Sequence, residues 1–214
     1  MDGYAKVRRR LYREDGRVLV SLTVGNDGGC EDVEFLILGE LFAEVSDELA
    51  EGEIGCETVG RISELADITA AFSSACESLA FAQCSSKALF RKLLAKGFSR
   101  SACESAVVLC ECRGYIDEVA VARRRAEIML DKLWGRMRII SKLREEGYSA
   151  EALDSVREYL EDVDFGEICS RVIVKKYHGI PEDRIAREKM YAALARLGFS
   201  RPDIRSALNI IDDL

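Results

Sequence analysis

The side chains best placed to do chemistry in this chain are cationic, and the chemistry they offer is binding. Arg123-Arg124-Arg125 is followed by Lys132, Arg136 and Arg138. Two smaller clusters, Arg91, Lys92 and Lys96, then Lys142 and Arg144, fall on two equivalent helical stretches, 85–96 and 135–146. Guanidinium and ammonium groups attract carboxylates and phosphates, and a guanidinium can hold either through paired N–H donors. Successive residues on a helix point about 100° apart, so the arginine triplet wraps one end of a helix instead of lining a stripe. The competing expectation is a solvated helix whose arginines pair with Glu127 and Asp131. Charge distribution favours a surface that meets an anionic partner. The net charge is −7, yet residues 85–144 carry +8, while residues 31–84 carry −12. The flanking stretches, 1–30 and 145–214, carry +2 and −5. A basic middle in an acidic protein points to an acidic partner surface or to nucleic acid.

Catalytic patterns are missing. There is no G-x-x-x-x-G-K-[ST], no H-E-x-x-H and no G-x-S-x-G. The glycine-rich run Gly25 to Gly29 leads into Glu31 and Asp32, which would repel a phosphate. Eight cysteines contain no C-x-x-C pair, and Cys110 and Cys112, two apart on a helix, point to different faces. The one histidine, His178, stands away from every cysteine cluster and reads as a helix-end cation or a turn residue. The expectation is therefore no metal, no cofactor and no enzymatic activity. Most of the cysteines read as small buried apolar side chains in a reducing compartment. Trp134, just before Gly135, reads as a partly buried hinge residue more readily than as a stacking platform.

The elements that must position these cations repeat. Lys96-Gly97-Phe98-Ser99, Glu146-Gly147-Tyr148-Ser149 and Leu197-Gly198-Phe199-Ser200 place glycines 50 and 51 residues apart. A period of that size marks stacked helical units. In each junction, glycine ends one helix in the left-handed conformation, the aromatic residue folds back, and serine caps the next helix. Leu93, Leu143 and Leu194 lie four residues before the glycines; Leu89, Ile139 and Met190 lie eight before; Cys110, Leu160 and Ile211 lie thirteen after. Three leucines at one offset are about a one-in-a-hundred coincidence at ordinary leucine frequency. Gly114-Tyr115-Ile116-Asp117 follows the same grammar between units, and Pro202 is tolerated in the first turn of the last helix.

These signals predict three tandem three-helix repeats, at 67–115, 116–163 and 164–214. The expected helices are 67–83, 85–96 and 99–113; 117–134, 135–146 and 149–162; and 164–178, 182–197 and 200–213. Ahead of them, residues 1–45 read as a small antiparallel β element of three strands. Its turns are Glu14-Asp15-Gly16 and Gly25–Gly29. Residues 46–66 read as an acidic, glycine-punctuated connecting segment, a helical stretch or a loop that enters the array. The fold class is mainly α, an elongated helical array with a small N-terminal β element. No apolar run reaches 18 residues, and Met1-Asp2-Gly3-Tyr4 does not open a secretory signal, so a cytoplasmic protein outside the membrane is expected.

The repeats also resemble a known family. Arg91-Lys92-Leu93-Leu94-Ala95-Lys96-Gly97-Phe98, and then Arg113-Gly114-Tyr115-Ile116-Asp117 with Ala122, resemble the opening repeat of RecX regulatory proteins. Gly135-Arg136-Met137-Arg138-Ile139-Ile140, running through Leu143 to Gly147, looks like that family's G-x-x-R-I-x-x-x-L-x-x-x-G pattern. The stretch from Ala186 to Leu208 is similar to its last repeat, so the match spans residues 67–214. Some members also carry a small N-terminal β element, as residues 1–45 would. The acidic overall charge and the cysteine-rich stretch 31–84 depart from the pattern.

The resemblance implies a monomer without enzymatic activity that binds the RecA–DNA filament and inhibits RecA ATPase, strand exchange and coprotease function. DNA would then be met mainly as part of the filament. Equivalent second helices would set Arg91, Lys92, Lys96, Lys142 and Arg144 in one basic ridge. The rival expectations are a direct DNA binder, with helix-turn-helix-like pairs of helices, and an unrelated helical scaffold.

Overall fold

A computed structural model describes residues 4–26, 29–49 and 52–212. It divides into two compact units: residues 1–82 with 89–115, and residues 83–88 with 116–214.

The first unit begins with an antiparallel sheet in the order β3-β2-β1-β4. Its strands are β1 Tyr4–Tyr12, β2 Arg17–Asn26, β3 Gly29–Leu38 and β4 Glu53–Gly55. The β1–β2 turn forms at the expected place, with Gly16 at φ +76°. Part of the second expected turn, residues 27 and 28, lies outside the described residues. The sheet has four strands instead of three, because β4 pairs with Tyr4–Lys6 from within the segment expected to be connecting.

A short helix, α1 Gly39–Phe42, follows β3, and the long α2 runs over Cys56–Phe81. It starts well before the expected Asp67, so the 66/67 boundary falls inside it. Gly60 misleads here. A mid-helix glycine costs about 1 kcal/mol, but Ile62 and Leu65 on the next turns bury against Ala5, Val18, Val20, Leu22 and Ile37 of the sheet, which outweighs it. Thr69, 2% exposed, ties the two layers. Its hydroxyl accepts the Leu38 N–H at 2.9 Å and donates to the Leu65 carbonyl at 2.9 Å. The C-terminal half of α2 packs on α4 Arg100–Cys112, reached through α3 Ser86–Ala95.

The second unit holds α5 Glu118–Asp131, α6 Arg136–Glu146, α7 Ala150–Tyr159, a 3-10 turn Leu160–Asp162, α8 Phe165–Tyr177, α9 Arg184–Arg196 and α10 Arg201–Asp212. From α3 onward the helices coincide with the expected ones to within a few residues.

The repeated letters do the same job three times. Gly97, Gly147 and Gly198 sit at φ +94°, +89° and +92°. The N–H groups of Phe98, Tyr148 and Phe199 reach back to the carbonyls of Leu93, Leu143 and Leu194 at 3.4, 3.3 and 3.2 Å. This is the Schellman closure of a helix. Ser99, Ser149 and Ser200 then accept the N–H groups of Ala102, Ala152 and Asp203, capping α4, α7 and α10. Leu93, Leu143 and Leu194 are fully buried, as are Leu89, Ile139 and Met190. Of the third set, Cys110 and Leu160 are fully buried, and Ile211 is half-buried. Gly114 at φ +67° and Tyr115, whose N–H meets the Cys110 carbonyl at 2.9 Å, repeat the closure.

Repeat-to-repeat docking in the second unit also recurs. The Ser85 hydroxyl donates to the Glu146 carbonyl at 2.9 Å. Fifty positions on, the Gly135 N–H donates to the Leu197 carbonyl at 2.8 Å, and Met137 N–H donates to the Gly198 carbonyl at 3.1 Å. Gly135 and Gly198 meet backbone to backbone: a Cβ on Gly198 would lie 2.4 Å from the Arg138 nitrogen. Glu118 fastens two helix starts at once. Its carboxylate accepts the Ser86 N–H at 2.7 Å and the Ser149 N–H at 2.9 Å. Burial acts to raise its pKa, but the two N–H donors outweigh burial and hold it below the ordinary glutamate value.

The cysteines depart from expectation. Cys103, Cys110 and Cys169 are buried, Cys76 and Cys84 half-buried, and Cys30, Cys56 and Cys112 exposed. Burial first, then the neighbouring Cys76, pushes the Cys110 thiol up to about 12; burial and then Asp203 does the same for Cys169. Cys30 lies on a sheet edge, and Cys56 opens a helix. A pattern of small apolar residues does not distinguish such positions from a core.

Two stability predictions follow from these contacts. Gly97 and Gly198 share a left-handed φ, but a Cβ on Gly97 would meet nothing within 4 Å. Gly97→Ala should cost the conformational penalty of about 1–2 kcal/mol. Gly198→Ala, which must also push backbone apart, should cost at least about twice that in urea unfolding. Equal losses would show that the Gly135–Gly198 contact is dispensable. For Glu118 the folded pKa is depressed, so its contribution is present above the unfolded value and is lost as pH falls through the folded one. Glu118→Gln should therefore destabilise the protein by about 1–2 kcal/mol at neutral pH, and its deficit against the parent should shrink below about pH 4. Thermal melts of both proteins from pH 7 to pH 3 read this directly.

Candidate partner-binding surface

The expected binding residues divide into cations held inside a unit and cations that project. In the first unit, Arg91, Lys92 and Lys96 are exposed on and just after α3. Lys96 donates to the hydroxyls of Ser74 and Ser78 at 2.6 and 3.2 Å. Lys92 and Lys96 line a shallow depression of about 450 Å³ with Glu77, Ser78, Ala82 and Phe81. Phe81 is 94% exposed at the end of α2. Sequence reading missed it, although a signal existed: the buried positions Leu65, Thr69, Phe72, Ala75 and Leu79 define the inner face, and Phe81 falls off it.

In the second unit, the arginine triplet points three ways, as helical geometry requires. The Arg123 guanidinium lies 4.5 Å from the centre of the Tyr159 ring. Arg124 projects to solvent beside a depression of about 400 Å³, lined also by Gln83, Ala120, Val121, Arg125 and Ile128. Arg125 pairs with Glu146 through two N–H donors, at 2.8 and 3.3 Å. Its pKa is raised, by that hydrogen bond above all. The partners Glu127 and Asp131, which simple helix spacing suggests, are not the ones used. Glu146 comes from α6, beyond any i,i+4 rule.

Three other cations are also structural. Arg136 donates to the Leu160 carbonyl at 3.0 Å and covers the Phe165 ring at 5.0 Å, pinning the 3-10 turn to the start of α8. Arg138 stacks on Trp134 at 3.9 Å. Trp134 is half-buried, where a hinge residue was expected, and the preceding Leu133 turns the chain at φ +57°. Lys142 pairs with Glu145 at 3.4 Å. His178 closes α8 in the left-handed conformation at φ +59°. Arg91, Arg124, Lys132 and Arg144 are exposed, and their side chains bond to none of the described residues. The imagined ridge draws Arg91, Lys92 and Lys96 from the first unit, and Lys142 and Arg144 from the second.

In each unit the projecting cations offer long-range attraction and N–H donors, and in the first unit Phe81 adds an exposed ring beside Lys92 and Lys96. Such groups suit an anionic partner. Among the described residues, no group of three His, Cys, Asp or Glu side chains converges as for a metal, and no helix is long and apolar enough to cross a membrane.

No family model matches the chain. The regulatory protein RecX of Pelodictyon phaeoclathratiforme (strain DSM 5477 / BU-1) is 32% identical over 129 residues, which cover 58% of this chain and 77% of that protein. The regulatory protein RecX of Vibrio vulnificus (strain CMCP6) is 32% identical over 128 residues, covering 56% and 79%. Among solved structures, a crystal structure of regulatory protein RecX aligns with a TM-score of 0.72 at 19% identity, over 98% of this chain and all of that one. RecX from Lactobacillus salivarius aligns with a TM-score of 0.58 at 15% identity, over 69% and 98%. The fold is therefore shared along almost the whole chain, sheet included, and the sequence kinship reaches across more than three quarters of its relatives: this chain belongs to the RecX family of regulatory proteins.

Proposed function

We propose that this protein binds the RecA–DNA filament and inhibits RecA ATPase, strand exchange and coprotease activity. On this reading it works in the cytoplasm, within recombination, DNA repair and the SOS response, as a monomer without an active site. Membership in the RecX family is the observation that carries the reading. The projecting cations Arg91, Arg124, Lys132 and Arg144 support it, since a nucleoprotein filament presents phosphates and acidic side chains. Three repeats, 67–115, 116–163 and 164–214, serve as successive contact modules, so that several weak contacts sum by avidity. Inhibition requires tighter binding to one filament state than to others, because a ligand shifts an equilibrium only by its differential affinity.

A second reading, direct binding to single-stranded DNA, is favoured by Phe81 beside Lys92 and Lys96. A bare ring with neighbouring ammonium groups is a platform for a base and its phosphates. The net charge of −7 weighs against it.

The deciding measurement is the DNA-dependent ATPase of RecA from the same organism, titrated with this protein. The parent should inhibit. Arg124→Glu with Arg144→Glu, which breaks no internal contact, should raise the half-inhibitory concentration at least about tenfold, or about 1.4 kcal/mol, with an unchanged melting temperature. Absence of inhibition by the parent would overturn the proposal. Salt-sensitive binding to naked single strands that Phe81→Ala abolishes, without any effect on RecA, would establish the second reading.

A further inference from the structure

The sheet is bounded by β3 on one side and by the three-residue β4 on the other. β4 covers the start of β1, and the Val7 N–H beyond it meets the Gly52 carbonyl at 2.8 Å. The register slips between Val7 and Arg9, which makes Arg8 a bulge residue, and the rest of β1 carries Arg9 and Arg10. Bulges, cations and short covering strands are the usual protections of a strand edge. β3, the opposite outer strand, has no bulge, no cation and no covering strand among the described residues; its charges are carboxylates. It pairs with β2 in unbroken register over all ten of its residues.

Its alternation fixes which groups are unused. The Leu38 N–H points away from β2 and is taken by Thr69. With a period of two, the N–H and C=O groups of Cys30, Asp32, Glu34 and Leu36 point the same way. None of them bonds to another described residue. Four successive outward-facing residues are a template for one more strand. The side chains along the edge are acidic and exposed: Glu31, Asp32, which pairs with Arg8 at 3.4 Å and accepts the Thr23 hydroxyl at 2.7 Å, and Glu34, which accepts the Ser21 hydroxyl at 3.1 Å.

We propose that the β3 edge is a docking site for an extended, basic peptide segment of a partner protein, added to the sheet as a fifth strand beside Cys30–Leu36. Charge selects the occupant. Two copies of this chain joined β3 to β3 would set three carboxylates against three. The chain's own basic strand, β1, has its edge partly covered by β4 and is bent by the bulge. A nucleic acid strand offers no N–H row for the β3 carbonyls and is repelled by the carboxylates. An incoming strand rich in lysine or arginine satisfies both the backbone and the charges. This site is separate from the cationic surface above and does not depend on the RecA reading.

The test uses a fluorescent short peptide alternating lysine and valine, a copy N-methylated at alternate backbone nitrogens, and a glutamate–valine peptide, all read by anisotropy against the full chain. The parent should bind the first peptide and slow amide exchange at residues 30–36. N-methylation should weaken binding at least about tenfold, and the acidic peptide should not bind. Glu34→Pro removes one outward N–H without touching the β2 ladder. It should lose binding beyond the loss of Glu34→Gln, with circular dichroism and melting temperature near the parent's. The proposal is overturned by no binding, by equal binding of the plain and N-methylated peptides, or by equal binding of the acidic peptide. Self-association of the parent that Glu34→Pro abolishes would overturn it too, by making a second copy the occupant.

Discussion

Every repeat turns on one backbone event: a helix stopped by a left-handed glycine, with the leucine four residues earlier held twice. The carbonyl of that leucine receives the returning N–H of the aromatic residue, and its side chain is sealed in the core. The arrangement couples local and tertiary structure. The glycine can release the chain only into the direction that lets the serine cap the next helix. The leucine, pinned by its own carbonyl, cannot leave the core without opening the turn. Phe98, Tyr148 and Phe199 then cover the turn, half-buried in the first case and buried in the other two. In the second unit the same turn is also a docking surface, where Gly135 meets Gly198 with no room for a side chain.

The charges are arranged around that scaffold in two classes. Arg123, Arg125, Arg136 and Arg138 lie against rings, a carboxylate or a carbonyl of the same unit. They hold helices together at modest individual strength, since partly exposed ion pairs contribute about 1 kcal/mol or less. Glu118 belongs with them, as a carboxylate satisfied by two backbone donors from separate helix starts. Arg91, Arg124, Lys132 and Arg144 make no such contacts and keep their hydration and their reach. The basic residues in the middle of the chain are thus divided between internal contacts and exposed side chains.

The first unit solves a different problem. A small antiparallel sheet is marginal by itself, and α2 stabilises it by running from the sheet to the helices. The buried face of α2 therefore changes partners along its length, from Ile62 and Leu65 against the strands to Phe72 and Leu79 beyond them. Thr69 sits at the changeover, its hydroxyl paired in both directions. This arrangement leaves β3 regular and open along one side.

Much of the helical architecture was legible because its signals are local. Glycine's tolerance of positive φ, the serine cap and the recurring leucines are properties of a few adjacent residues, so the ends of α3 to α10 follow from composition and spacing. The family resemblance in residues 67–214 rested on those same positions. The early start of α2 was hidden because Gly60 lowers local helix propensity and only packing on the sheet restores it. β4 was hidden because three residues carry too little pattern to stand apart from a loop. The cations show the division most clearly. By itself the chain determined that residues 85–144 are basic. Tertiary structure alone decided that Arg125 finds Glu146, that Arg136 finds Leu160 and that Arg124 and Arg144 find nothing. Ion pairs between helices depend on which faces meet in space, and burial patterns one helix at a time do not encode that.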